Sequence, residues 1–257
     1  MLFRSGMEIN NLAAKNSSKA KRRLSRYRRL LNSRPLIAIS DGMVSDLREN
    51  ILISSRIEKI TNPFDFDSIK IAADSSEVKT PEGKYVIHVG RFHKQKRHDL
   101  LLKAWAQTRT EHLLVLLVED SPELRKLISA YNQENRVVIA GFQKNPYPWM
   151  AKAELLVLSS DVEGLSNVII ESLICGTPVV STNCPSGPSE ILCNLPESLV
   201  SCDDASALAR AIENHLNSPP NLSKVNISRF LLATVLDAYE ALGMENVSSK
   251  KVEVGIT

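Results

Sequence analysis

Residues 155–181 read LLVLSSDVEGLSNVIIESLICGTPVVS, and this stretch sets the fold. Leu155–Ser159 is a near-continuous apolar run, the pattern of a strand covered on both faces rather than the alternation of a half-exposed one. A turn containing Gly164 leads into a helix over Asn167–Cys175, which stops at Gly176, and Pro178–Ser181 is a second buried strand. Strand, helix and strand within so few residues is the βαβ unit of a parallel sheet.

Outward from there the alternation continues in both directions. Tyr85–Val89, His112–Val118, Arg136–Ala140 and Ser198–Ser201 read as further strands. Helices are expected over Asp99–Thr108, Pro122–Asn132, Pro188–Asn194 and Ala205–Leu216. Ser121, Pro122 and Glu123 supply an N-cap, a first-position proline and a first-turn acid. Residues 85–227 are therefore expected to form an α/β domain with a doubly wound, Rossmann-like parallel sheet.

The flanks have another character. Residues 11–34 make a basic helix candidate with Ala20, Leu24, Tyr27 and Leu31 along one stripe. A strand at Leu36–Ile39 and a helix at Val44–Ile51 follow. One strand and two helices cannot enclose a core of any size. Residues 1–62 are thus expected to be a helical, one-strand remnant of a second domain, with a linker over 63–84. At the other end, 228–257 are expected to hold a helix, Arg229–Leu242, that ends at Gly243, with a loose tail from Asn246.

Composition narrows the class. The 257 residues are 43% hydrophobic and 24% charged, ordinary for a globular protein. No run of 18 apolar residues exists and Met1–Asn10 has no signal-like stretch, so a cytoplasmic location is expected. Cys175, Cys184, Cys193 and Cys202 stand nine apart with no C-x-x-C pair, the pattern of reduced, buried thiols rather than of metal ligands. The net charge of +3 conceals an asymmetry: residues 1–34 carry ten Lys/Arg against Glu8 alone, and the remainder is acidic. No continuous basic face spans the chain, which argues against nucleic acid as a partner. A basic amphipathic helix suits an anionic membrane surface, and its apolar stripe equally suits packing on the fold.

Three features fall at the C-terminal ends of predicted strands, where open α/β sheets bind ligands. In the first, Gly90 ends a strand, and Arg91 and Lys96 offer a planar fork and a point charge on one loop. A solvated basic loop would look the same. In the second, Glu163-Gly164-Leu165-Ser166-Asn167 leads into a helix whose free amides and positive dipole end make an anion site. Glu171 lies about 6 Å further along that helix axis at 1.5 Å per residue, within reach of hydroxyls on an anion held at the tip. Glu163 faces the same place from the loop, although surface glutamates occur at such positions for dipole reasons alone. The third, Gly176–Ser181 followed by Ser186-Gly187-Pro188, reads by itself as α/β punctuation.

Together these motifs resemble the retaining glycosyltransferases of family 4, on the GT-B fold, over Val89–Ile191. Glu163 and Glu171 fit that family's E-x7-E signature, and Cys175–Val180 its continuation. Ser40 and Asn62-Pro63-Phe64-Asp65 resemble its last N-domain strand and interdomain linker. The resemblance implies transfer of a sugar, with retention, from a nucleoside-diphosphate sugar to a glycan or lipid-linked acceptor in polysaccharide or lipopolysaccharide synthesis. It assigns catalytic roles to Glu163, Arg91 and Lys96. Donor contacts would come from Gly90, Gly164, Leu165, Ser166, Asn167 and Glu171, the last on the ribose. Fixed cations and amides on the leaving diphosphate make a metal or other cofactor unnecessary.

Departures from the family are equally plain. Glu119-Asp120-Ser121-Pro122-Glu123 stands where a glycine-rich turn is usual, and Arg97 where a glycine often follows the lysine. The acceptor domain is expected to be mostly absent, so a partner chain or self-association is expected, and the alternative is an impaired donor-binding module. Asp65-Phe66-Asp67 is a D-x-D sequence expected to be a solvated turn rather than a metal site. Dinucleotide, P-loop and nucleophile-elbow fingerprints are missing, and His88 inside a strand reads as a core residue.

Overall fold

The computed structural model describes residues 18–253. The first part of the basic helix candidate, 11–17, and the end of the expected tail, 254–257, lie outside the described residues. The chain divides into two compact units, one of residues 67–226 and one that joins residues 1–66 to 227–257.

The larger unit is a six-stranded sheet, all parallel, in the order β5-β4-β3-β6-β7-β8. Its strands are β3 Tyr85–Val89, β4 Leu113–Leu117, β5 Val137–Ile139, β6 Leu155–Leu158, β7 Val179–Thr182 and β8 Leu199–Val200. Counted within the unit this is the 3-2-1-4-5-6 order of the doubly wound fold, and the order reverses between β3 and β6. Register pairs Val86 with Leu155 and Ile87 with Leu156 across that point. The strands read as continuous apolar runs because both faces are covered: Leu114, Leu116, Val157 and Val180 are wholly buried, packed with Trp105, Leu208 and Ile212. Trp105 and Ile212 come from the helices His98–Trp105 and Ala205–Asn217. Two polar ties fix the sheet's surroundings. The Tyr85 hydroxyl donates to the Trp149 carbonyl at 2.7 Å, and the Arg136 guanidinium lies over the Trp105 ring, 5.0 Å from its centroid.

The smaller unit holds a correction. A second strand, β2 Ile57–Lys59, pairs in parallel with β1 Leu36–Ala38, so the segment is two-stranded and not one-stranded. Three residues with Glu58 and Lys59 among them give no apolar run to read. The basic helix spans Ser18–Leu31. It is anchored by wholly buried Leu31 and by Arg28 Nε donating to the Ile51 carbonyl at 2.6 Å. Ser40 caps the next helix, Asp41–Glu49, accepting from the Met43 amide at 3.3 Å. The C-terminal helix runs Leu232–Glu253, straight through Gly243. The glycine does not end it, since in a helix interior it costs only about 1 kcal/mol against alanine, and the tail expected from Asn246 is helical to Glu253. The Phe64 amide donates to the Phe230 carbonyl at 2.8 Å and the Leu232 amide to the Phe64 carbonyl at 2.9 Å. The C-terminal helix therefore shares a unit with residues 1–66 instead of standing apart.

Smaller differences have local causes. The expected linker contains a helix, Phe66–Ala73, whose first turn takes Asp67 from the D-x-D sequence, a favourable place for a carboxylate against the helix dipole. Of the four cysteines only Cys184 is buried, while Cys193 is exposed. Equal spacing in sequence put them on unlike elements. Among the described residues no helix is long and apolar enough to cross a membrane.

Candidate functional site

The site belongs to the larger unit, where the sheet order reverses between β3 and β6. Both strands deliver loops at their C-terminal ends, and the two loops are tied by main chain and side chain. The Asp161 amide donates to the Gln95 carbonyl at 2.9 Å, Gln95 Nε2 to the Val162 carbonyl at 2.5 Å, and the Ser159 hydroxyl to the Lys96 carbonyl at 2.7 Å. This lacing brings Lys96 and Glu163, 67 residues apart, to a 2.6 Å ion pair. Their side chains are only 18% and 10% exposed, so the pair is largely removed from solvent screening.

Gly90 lies against the Lys96 side chain. A Cβ there would stand 3.4 Å from His88 Nε2 and 3.5 Å from the Lys96 side chain, ordinary contact distances. The protein's own packing does not demand the glycine. Arg91 is exposed and lines a cavity of about 1000 Å³ together with Gly90, Phe92, Glu119, Phe142 and Gln143. The acidic segment that departs from the family pattern therefore forms one wall. Its backbone is an ordinary capped helix start, Ser121 accepting from the Leu124 amide at 3.2 Å, and Asp120 is paired with Arg125.

Across the site, the helix Asn167–Ile174 starts from Ser166, which adopts the left-handed conformation at φ 61° and makes no side-chain cap. Ser166 is buried, and its hydroxyl has no hydrogen-bond partner among the described residues. Leu165 is 2% exposed, so its side chain is closed to a ligand. Asn167 is exposed at the helix start. Glu171 is half-buried, and burial raises its carboxyl above the usual carboxylate range. No contact joins it to Arg91 or Lys96, and its charge is felt instead at Tyr147 and Cys175.

Two residues that shape the site were named in the sequence without a role in it. Gly187 has φ +93°, and a Cβ there would come within 2.8 Å of the Leu165 carbonyl carbon. With the Ser186 hydroxyl donating to the Gly164 carbonyl at 2.7 Å, it braces the turn before the helix. The Gly187-Pro188 dipeptide was the available signal. The other is Arg97, left-handed at φ 49°, in a conformation that favours glycine, which accounts for the residue usual there.

Behind Gly90 lie two buried histidines. His88 Nδ1 is 2.9 Å from the Val157 carbonyl, and its ring centroid is 4.8 Å from that of His98. The nitrogens of His98 have no partner among the described residues. Burial first, and the nearby Lys96 charge second, push His98 down to about 4, while Asp99 opposes the shift. Burial and the His98 charge hold His88 well below its usual range too. A folded-state value below the unfolded one leaves stability intact above about pH 6.5 and removes it as pH falls towards 4. His98 alone should cost about 2 kcal/mol at pH 5. Urea unfolding of wild type and His98→Phe at pH 7 and pH 5 checks this. The variant should lose distinctly less on acidification, and equal losses would exclude His98 as the cause.

The family described as glycosyl transferases group 1 matches residues 83–218. The N-acetylgalactosamine-N,N'-diacetylbacillosaminyl-diphospho-undecaprenol 4-alpha-N-acetylgalactosaminyltransferase of Campylobacter jejuni is 39% identical over 155 residues, 59% of this chain and 42% of that protein. The lipopolysaccharide 1,6-galactosyltransferase of Escherichia coli is 32% identical over 169 residues, covering 61% of this chain and 45% of its own length. The chain thus spans less than half the length of either relative. Among solved structures, sucrose-phosphate synthase from Thermosynechococcus elongatus superposes with a TM-score of 0.73 at 22% identity, covering 99% of this chain and 68% of its own. HepE of Anabaena, solved with UDP and glucose, gives 0.69 at 22% identity, covering 87% of this chain and 67% of that one. With a family match over more than half of its residues and the sheet order described above, the chain belongs to the group 1 glycosyl transferases and carries the GT-B fold.

Proposed function

We propose that this chain binds a nucleoside-diphosphate sugar where its sheet order reverses and supplies the donor side of a family 4 sugar transfer with retention. The observation that carries the reading is the Lys96–Glu163 pair, preformed at 2.6 Å with its lysine on the loop that also bears the exposed Arg91. A lysine has three donors, so Lys96 can keep Glu163 and add a phosphate oxygen. Glu163 retains an acceptor oxygen for a sugar hydroxyl. Breaking the sugar–phosphate bond leaves an electron pair, and negative charge, on the departing diphosphate. Arg91, Lys96 and the amides opening the Asn167 helix stabilise that charge as it grows. Glu171, desolvated and with no cation paired to it among the described residues, is suited to accept hydrogen bonds from ribose hydroxyls. No step in this scheme requires a metal or cofactor.

The relatives' names support an acceptor that is a glycan or lipid-linked saccharide of lipopolysaccharide or polysaccharide synthesis. The helix Ser18–Leu31 would suit the inner membrane surface in such a role. It has no carboxylate, exposes Lys19, Lys21, Arg22, Arg26 and Arg29, and leaves Leu30 46% exposed.

Calorimetry with UDP, GDP and ADP, with and without EDTA, tests donor binding. One nucleotide should bind equally well under chelation, and binding abolished by EDTA would exclude the metal-free scheme. Glu171→Ala should weaken the bare diphosphate and the intact donor alike, by about 1.5–3 kcal/mol for each lost hydrogen bond to a charged acceptor. Glu163→Ala should weaken the intact donor more. Equal losses for both ligands in both variants would remove the roles given to these glutamates. Donor binding without transfer would instead mark the chain as a donor-binding module that needs a partner chain or a second copy.

A further inference from the structure

We infer that Arg97 is a positioning residue whose guanidinium, spread over Asp99, Asp161 and Asp203, fixes the separation of Lys96 and Glu163. The inference rests on the reading above only in taking that pair to face a donor.

The geometry is specific. Arg97 Nε donates to Asp99 Oδ1 at 3.0 Å, and Nη2 to Asp99 Oδ2 at 3.1 Å. Nη1 donates to Asp161 Oδ1 at 2.7 Å and also to Asp203. The three carboxylates come from three places: the first turn of the helix after the Lys96 loop, the loop after β6, and the turn after β8. One side chain thereby cross-links the C-terminal ends of three strands. It is adjacent in sequence to Lys96, and Asp161 is two residues from Glu163. A shift of either loop would have to break this fork before it could part the ion pair.

The backbone argues the same way. Arg97 sits at φ 49°, ψ 53°, a conformation disfavoured for any residue with a Cβ. Local preference would place a glycine here, and the side-chain contacts add to the Arg97 amide's bond to the Lys94 carbonyl at 3.2 Å in offsetting that preference. The guanidinium is only 19% exposed, which limits solvent competition. A lysine cannot replace it, because a point charge on a flexible stem does not present a planar fork to three carboxylates at once. Removing the charge would leave three aspartates facing one another, and their repulsion would push the β6 loop away from the Lys96 loop.

The test reads the pair itself, without a ligand. Pulse acylation of the full chain with acetic anhydride, followed by peptide mass spectrometry, reports how firmly the Lys96 amine is held. Arg97→Gly suits the backbone and removes the fork, and Arg97→Lys keeps the charge without the fork. Both should acylate at Lys96 about 5–10-fold faster than wild type, and Asp161→Asn about 2–3-fold faster, with circular dichroism unchanged. The same variants should bind the preferred nucleotide among UDP, GDP and ADP about tenfold more weakly. Lowered melting temperatures with Lys96 reactivity unchanged would overturn the proposal and leave a structural ion network only. If Arg97→Gly fails to fold, Asp161→Asn gives the decision. If no nucleotide binds the wild type, the donor reading fails while the acylation rates still decide the role of Arg97.

Discussion

Lys96→Ala should lower donor turnover by about 10²–10³-fold, the effect of deleting one donor aimed at charge that develops in the transition state. The loss would have two parts. One is the missing cation on the departing diphosphate. The other is Glu163, 10% exposed, left without its counter-ion. Breaking a fully buried pair costs about 3–5 kcal/mol, and less is expected here because both side chains reach solvent. The double variant Lys96→Ala/Glu163→Gln separates the two, since it removes the stranded charge together with the lysine. Its unfolding free energy in urea should return towards wild type while turnover stays low. Recovery of turnover in the double variant would reduce Lys96 to a counter-ion for Glu163 and take it out of the chemistry.

Gly187→Ala should be strongly damaging for a single added methyl, costing about 2–6 kcal/mol. Backbone strain at φ +93° accounts for about 1–3 kcal/mol, and overpacking for a similar amount. The neighbour that would have to yield is backbone, the Leu165 carbonyl carbon at 2.8 Å and its oxygen at 2.9 Å. That backbone opens the helix held to bind the diphosphate, so donor affinity should fall with stability. Gly83→Ala is the control: its φ is +90° and nothing lies within 4 Å of the added Cβ. Urea denaturation should show Gly83→Ala losing only the strain part. Equal losses at the two positions would mean that the close approach to Leu165 carries no weight.

The sheet was legible because its strands are continuous apolar runs, and Tyr85–Val89 was bounded to the residue. Periodicity failed where elements were short or polar. β2 carries a glutamate and a lysine in its three residues, and the helix Tyr147–Lys152 is six residues long with a proline at its start. The ends of helices were blurred for a related reason, as Gly243 shows: a residue that often stops a helix can also be carried inside one. In the site, Lys96 and Glu163 were picked out separately by motif, and their pairing became visible only with strand order in hand. Arg97 was noticed as a departure from a glycine, yet a sequence cannot show that the backbone there is left-handed or that three aspartates converge on it. Gly187 passed for punctuation because its necessity lies in a neighbour twenty-two residues earlier in the chain.

The smaller unit draws on both sides of the larger one, with Phe64 hydrogen-bonded between Phe230 and Leu232. During synthesis the two cannot mature together. Residues 67–226 form a contiguous unit whose strands can all pair once they have left the ribosome. The segment before them must wait for its closing partner until that whole stretch has been translated, on the order of ten seconds at about 5–20 residues per second. Through that interval Leu36–Ala38 and Ile57–Lys59 can pair with each other, but Phe64 remains without its bonds to Phe230 and Leu232.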